Sequence, residues 1–197
     1  MQPILNTPDE ILAWIWRSLS SAVNDASHPY RLPAVATMSP PEGPAVRTVV
    51  LRAVNAEQRT LEFHTDRRSA KVAELQAEDR LAWHFWDPVR QIQLRMRSRA
   101  SLHVADVIAE ARWATCPASK RLAYARETPP GAVLAEMQWI DAAAEGTDEA
   151  VERGWTNFAV VIGVVEQIDF YEIRGTSQRR ASFTREGNEW IGRGRSP

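Results

Sequence analysis

The first thirty residues carry a helical period. Ile11, Ile15, Leu19 and Val23 fall on one face, and Leu12, Trp14 and Trp16 widen it, which predicts an amphipathic helix packed on the body of the protein rather than a membrane anchor. Thr7-Pro8-Asp9-Glu10 supplies its start: a capping threonine, a proline at the first helical position and a glutamate where a capping box needs one. His28-Pro29 ends it. The period then drops to two, in short β-branched runs separated by turn residues. Strands are expected over Ala34–Met38, Ala45–Val54, Thr60–Thr65, Leu81–Trp86 and Gln91–Val104, with a short helix starting near Ser69. The last of these strands has the clearest alternation. Gln91, Gln93, Arg95, Arg97 and Arg99 share one parity and Ile92, Leu94 and Met96 the other, as a half-buried strand requires.

Helical pattern returns from Asp106 to Trp113 and again from Ser119 to Arg126, before Thr128-Pro129-Pro130-Gly131 breaks it. Asp141–Gly154, rich in Ala, Glu and Asp, is expected to be a mobile surface insertion or a frayed helix. Phe158–Ile173 is a long strand expected to bend or bulge at Gly163, and Arg180–Arg185 and Glu189–Arg193 flank a hairpin turn at Glu186-Gly187-Asn188. The fold class that follows is mainly β with peripheral helices, an antiparallel sheet or barrel.

Composition narrows the picture. The 197 residues, 44% of them hydrophobic, suffice for one sizeable core, so a single domain over residues 1–197 is expected. One cysteine, Cys116, allows no internal disulfide, and the N-terminus lacks the features of a secretory signal, which together point to the cytoplasm. The longest apolar run, Phe158 to Val165, falls far short of a bilayer span of about 20 residues. Of 24 basic residues only Lys71 and Lys120 are lysines, and the net charge is −1; the arginine richness is therefore not a nucleic-acid footprint.

The candidate chemistry lies first in Phe63-His64-Thr65-Asp66-Arg67-Arg68-Ser69-Ala70-Lys71, where a strand becomes a helix. Cations are unfavourable at a helix N-terminus unless an anion sits among them. A phosphate would resolve the conflict, taking hydrogen bonds from the first-turn N–H groups, the Ser69 hydroxyl, the Arg68 fork and Lys71. In Val46-Arg47-Thr48-Val49-Val50-Leu51-Arg52 an arginine stands at each end of an apolar strand, and alternation sends the two to opposite faces, one toward a phosphate and the other toward a second ligand. Gln93 adds an amide suited to a heterocycle edge. Neither a phosphate-binding G-x-x-x-x-G-K nor a G-x-G-x-x-G, an H-E-x-x-H or a cysteine pair for zinc is present, and no metal site is expected. His28, His64, His84 and His103 are dispersed. If the protein is an enzyme, a cofactor carries the chemistry.

These segments, in this order, resemble the pyridoxamine 5'-phosphate oxidase family and its relatives with an FMN-binding split barrel. Arg47-Thr48-Val49-Val50-Leu51-Arg52 is similar to the family's Arg-x-Val-x-Leu-(Lys/Arg) strand, Thr65-Asp66-Arg67-Arg68-Ser69-Ala70-Lys71 to its Thr-(Asp/Asn)-x-x-Ser-x-Lys segment, and Gln93-Leu94-Arg95-Met96 to its Gln-(Val/Leu)-Arg-(Ile/Val) strand. The resemblance implies an antiparallel Greek-key barrel, FMN as cofactor, and a homodimer with the flavin between protomers. It implies that Arg47, Arg68, Ser69 and Lys71 hold the phosphate. Val49, Val50, Leu51, Arg52, His64 and Thr65 would line the ribityl chain and ring, Gln93 would meet the ring edge, and Gln93 and Arg180 would act across the dimer interface, with Tyr171 in place of a family tryptophan. Where pyridoxamine-phosphate oxidases have Arg-Leu-His-Asp-Arg, this chain has Thr176-Ser177-Gln178-Arg179-Arg180, so only the last arginine matches. The expectation is an FMN-dependent oxidoreductase acting on an unidentified small molecule. Pyridoxamine or pyridoxine 5'-phosphate oxidation, and a non-catalytic protein binding flavin, haem or a deazaflavin, are the alternatives.

Overall fold

The computed structural model describes residues 6–40, 42–137, 139 and 147–197. Helix α1, Pro8–Asn24, begins with the expected box: the Glu10 N–H donates to Thr7 Oγ1 at 3.2 Å, while Glu10 Oε2 accepts from the Asn6 and Thr7 N–H groups at 2.8 and 3.0 Å. It buries Ile11, Trp14, Ile15, Trp16, Leu19 and Ala22, so the buried stripe includes both tryptophans and leaves Val23 at its edge.

The strands are β1 (Ala34–Ser39), β2 (Gly43–Thr48), β3 (Leu51–Asn55), β4 (Thr60–Asp66), β5 (Arg80–Asp87), β6 (Ile92–His103), β7 (Phe158–Arg174), β8 (Ser177–Glu186) and β9 (Glu189–Arg195). Helix α2 (Ala70–Ala77) follows β4; α3 (Val107–Thr115), α4 (Ala118–Arg121) and α5 (Asp148–Asn157) lie between β6 and β7. Every pairing is antiparallel, in the order β2-β1-β5-β6-β7-β4-β3, with β8 on β7 and β9 on β8. The return of β4 to lie beside β7 gives the Greek-key order. Among the described residues the ladder does not close. Strand β7 explains the split: one edge pairs with β6 along its length, while the other pairs with β4 over Phe158–Val164 and with β8 from Gln167 onward.

Three expectations are corrected. Ala45–Val54 is two strands, β2 and β3: the Val49 N–H makes the last in-register bond to β1's side, to the Pro33 carbonyl at 2.9 Å, and Pro33 has no N–H with which to carry the pairing on; alternation therefore does not carry from Arg47 to Arg52. The irregularity in β7 falls at Glu166, where the pairing steps from Arg97↔Gln167 to Ser98↔Val165, and not at Gly163. Helix over Ser119–Arg126 is replaced by α4 and a 3-10 turn at Leu122–Tyr124. Of the segment 141–154, residues 148–154 belong to α5, capped by Thr147 Oγ1, and 141–146 lie outside the described residues.

The main core lies between α1 and the inner face of the sheet, with Ile15, Leu19, Tyr30, Leu51, Phe63, Trp83, Phe85, Leu94 and Phe170 among its buried side chains. A second, smaller core of Ala109, Phe158 and Val160 is roofed by Trp113, Tyr124 and Trp155 from the region of α3 to α5. The start of β7 is thus covered on both faces, which is why Phe158–Val161 is continuously apolar. No described helix is long and apolar enough to cross a membrane.

Candidate functional site

The residues singled out in the sequence gather into two groups. The first forms where β4 turns into α2. Ser69 occupies the cap position of α2, but its hydroxyl donates to the Asp66 carbonyl at 2.7 Å and leaves the helix start without a side-chain cap. Lys71 Nζ donates to Thr65 Oγ1 and to Ser69 Oγ, both at 3.0 Å. Arg47, arriving from β2, donates through Nη2 to Glu74 Oε2 at 2.7 Å and through Nη1 to Thr37 Oγ1 and the Ala45 carbonyl. Thr37 in turn donates to Glu74. Burial pushes the Lys71 ammonium below the ordinary lysine range and the Arg47 charge pushes it further, against the pull of Glu74 and Asp66. For Glu74, burial works upward but the bonds from Thr37 and Arg47 and the charges of Arg47 and Lys71 outweigh it, holding the carboxyl below its ordinary value. Two cations, two hydroxyls and an uncapped helix start converge here, a donor set that suits a tetrahedral oxyanion.

Arg68 is turned away from this group. Its Nε and Nη2 bind the Asp66 carboxylate at 3.0 and 2.7 Å, and its Nη1 and Nη2 donate to the carbonyls of Glu127 and Arg126 at 2.9 and 2.8 Å. It ties the β4–α2 loop to the segment after Tyr124. Val49, Val50 and Leu51 form the crossing from β2 to β3; Leu51 is fully buried and its carbonyl accepts from Arg31 Nη1 at 2.6 Å. Arg52 is half-buried without a hydrogen bond or ion pair among the described residues, near the Arg31 guanidinium, the Cys116 thiol and the Tyr124 phenol, which burial pushes up to about 12. His64 shares Glu62 with Arg112: Nε2 lies 3.0 Å from Glu62 Oε1, and Arg112 Nε donates to the same carboxylate at 2.8 Å. The His64 ring meets Phe158 edge-on at 5.0 Å.

The second group is a row across three strands on the outer face of the sheet. Gln93 of β6 pairs with Tyr171 of β7, and Tyr171 with Arg180 of β8. Trp86 of β5 extends the row and is 41% exposed, unlike the core residues Trp83 and Phe85. Arg180 and Arg95 both bind Asp169, whose carboxyl is pushed up by burial but held low by these two partners. Arg99 pairs with Asp79 and Arg95 with Asp169, so two of the three arginines on this face of β6 have an acidic partner. No described contact joins this row to the first group within one chain.

Residues 13–104 match the family model of the pyridoxamine 5'-phosphate oxidase FMN-binding domain. A crystal structure of a pyridoxamine 5'-phosphate oxidase-related, FMN binding protein from Nostoc punctiforme superposes with a TM-score of 0.71 at 25% identity, covering 94% of this chain and 96% of that one. PhzG from Burkholderia lata, in complex with tetrahydrophenazine-1-carboxylic acid, shares the fold at 16% identity, with a TM-score of 0.73 over 100% of this chain and 99% of its own. A Clostridium acetobutylicum protein related to general stress protein 26 shares it at 8% identity and a TM-score of 0.56, over 89% and 95% of the two chains. No curated protein sequence matches the chain. The matched stretch contains the first group and Gln93 and stops before Tyr171 and Arg180.

Sequence reasoning missed Thr37, Glu62, Glu74 and Arg112. Only Glu74 carried a signal, an acid one helical turn beyond Lys71, and such a pair ordinarily reads as a solvated i,i+3 contact. Among the described residues no cluster of His, Cys, Asp and Glu could hold a metal ion.

Proposed function

We propose that the protein is an FMN-dependent oxidoreductase, a single-domain homodimer acting on a small molecule. One observation carries this reading: Arg47, Thr65, Ser69 and Lys71 converge at the uncapped start of α2, inside a stretch that matches an FMN-binding family. These four would hold the FMN phosphate, with Arg68 bracing the loop that presents Ser69. The backbone of Val49–Leu51, together with Arg52, His64 and Thr65, would line the rest of the flavin. The row of Gln93, Tyr171 and Arg180 would be supplied by the partner protomer, since within one chain it has no contact with the phosphate group's residues.

Bound flavin would supply hydride acceptance and delivery. The chain's own residues bind and orient it. Arg52, whose guanidinium lacks a hydrogen-bonding partner among the described residues, offers positive charge to an anionic ligand or to electron density that builds up beside it. His64, held by Glu62 and seated against Phe158, offers an imidazole edge in the same region. Oxidation of pyridoxamine 5'-phosphate is disfavoured, because the stretch that differs from the oxidases is engaged internally. Gln178 accepts from the Tyr171 hydroxyl at 2.5 Å, and Arg179 binds the buried Glu172.

The test is the visible spectrum of the purified protein after loading with FMN, or separately with riboflavin, and gel filtration. Retention of FMN in preference to riboflavin supports the phosphate site, and a colourless protein refutes it. Bleaching of bound FMN by a nicotinamide donor and recovery in air would support an oxidoreductase. A flavin inert to both would favour a carrier.

A further inference from the structure

Arg47 and Lys71 reach the same place from different elements, β2 and α2, and their like charges oppose that meeting. What holds them is a closed ring of hydrogen bonds: Arg47 donates to Thr37 and to Glu74, and Thr37 donates to Glu74. Glu74 lies one turn beyond Lys71 on α2 and Thr37 lies on β1, so the ring fastens the β1–β2 hairpin to the helix that carries Lys71. Thr37 and Glu74 are buried, and neither would contact a ligand as readily as Arg47 or Lys71.

The use of the guanidinium edges is specific. Of the five N–H donors of an arginine, those of Nη1 go to Thr37 and the Ala45 carbonyl and one of Nη2 goes to Glu74. The Nε–H and the adjacent Nη2–H, which together form a two-pronged edge, have no protein acceptor among the described residues. The geometry points to Glu74 as the positioning residue of the phosphate site: with Thr37 it clamps one edge of Arg47 so that the other edge is presented, beside Lys71, to the phosphate of the cofactor. This rests on the proposed phosphate site and adds to it a residue that works through Arg47.

A negative charge beside a phosphate site would by itself weaken anion binding, so positioning and simple repulsion predict opposite signs when Glu74 is removed. The experiment measures the Kd of FMN and of riboflavin, by quenching of flavin fluorescence, for the parent chain and for Glu74→Ala, Glu74→Gln, Arg47→Ala and Arg47→Ala/Glu74→Ala. If Glu74 positions Arg47, Glu74→Ala weakens FMN binding by about fivefold or more, the size of a compromised charge-assisted hydrogen bond. Riboflavin binding then stays within about twofold, which also reports that the barrel has folded, and Glu74→Gln, which keeps an acceptor oxygen, restores most of the loss. In the Arg47→Ala background the further loss is under about twofold, because the residue it acts through is gone. FMN binding by Glu74→Ala that equals or exceeds the parent's, with Arg47→Ala impaired, overturns the assignment and leaves the phosphate site standing. A parent that fails to distinguish FMN from riboflavin removes the phosphate site and the assignment together.

Discussion

Replacing Gly163 with alanine tests the centre of the sheet. Gly163 pairs with Leu61 of β4 on one side and Ala100 of β6 on the other. A Cβ built there would lie 2.7 Å from Ser98 Oγ and 3.3 Å from both Ser98 Cβ and Trp83 Nε1. Ser98 cannot yield freely: its hydroxyl accepts the Trp83 indole N–H at 3.0 Å and donates to the Leu81 carbonyl at 3.1 Å, all in the buried interior. Overpacking costs about 1–3 kcal/mol, and each buried hydrogen bond displaced adds about 0.5–1.5 kcal/mol. The restricted unfolded chain returns about 0.4–1 kcal/mol. The expected net loss is about 2–4 kcal/mol, or about 5–15 °C in Tm for a chain of this size. Urea unfolding with a constant m-value would measure it, and Ser98→Ala combined with Gly163→Ala should lose less than the sum of the two single changes, because the crowded hydroxyl is gone. Stability of Gly163→Ala within about 1 kcal/mol of the parent would refute the close approach.

Lys71→Ala should weaken FMN by about tenfold or more while riboflavin is little affected, whereas Arg68→Ala should lower stability by about 1–3 kcal/mol without changing the ratio of the two affinities, since its partners are Asp66 and two carbonyls. Because the Lys71 ammonium sits below 10.5, FMN affinity should start to fall at a lower pH than an ordinary lysine would dictate; a flat profile up to pH 10.5 would contradict this. Glu62, held below 4.5 by His64 and Arg112 against the upward push of burial, contributes stability that is present above pH 4.5 and lost as the pH falls through its folded value. Acid titration of Glu62→Gln, followed by circular dichroism, should therefore show a shallower decline than the parent. Tyr30 is fully buried and its hydroxyl has no partner among the described residues, so Tyr30→Phe should leave stability unchanged or raise it by up to about 1 kcal/mol, and any loss of stability in thermal unfolding would show the hydroxyl to be satisfied.

Legibility in the sequence followed the range of the interactions. The start of α1 was readable because its cap, its box and its apolar face all lie within a few residues of one another. The parity of β6 was readable for the same reason. The break between β2 and β3 was not, because Val49 and Val50 are strand formers and the bond that ends the ladder goes to Pro33, sixteen residues upstream. Gly163 was marked as exceptional, but its reason is the approach of Ser98 and Trp83 from other strands, while the bulge sits at Glu166, an unremarkable residue in a strand. At the candidate site the local cations were visible and their partners were not. Asp66, only two residues before Arg68, takes that arginine's fork in the folded chain. The ring through Thr37 joins three elements and leaves no mark in any one of them.

The long strand β7 also governs the order in which the chain can finish folding. Both β4 and β6 depend on it for a neighbour, yet β4 ends at Asp66 and β7 starts only at Phe158. At about 5–20 residues per second, a ribosome takes on the order of 5–20 s to make the intervening chain. During that interval the β4 and β6 edges that β7 will cover are exposed, and Leu61 and Phe63 have only part of their eventual surroundings. The sheet is completed by its last third, so a nascent or truncated chain lacking β7 keeps two open edges to which other chains can add.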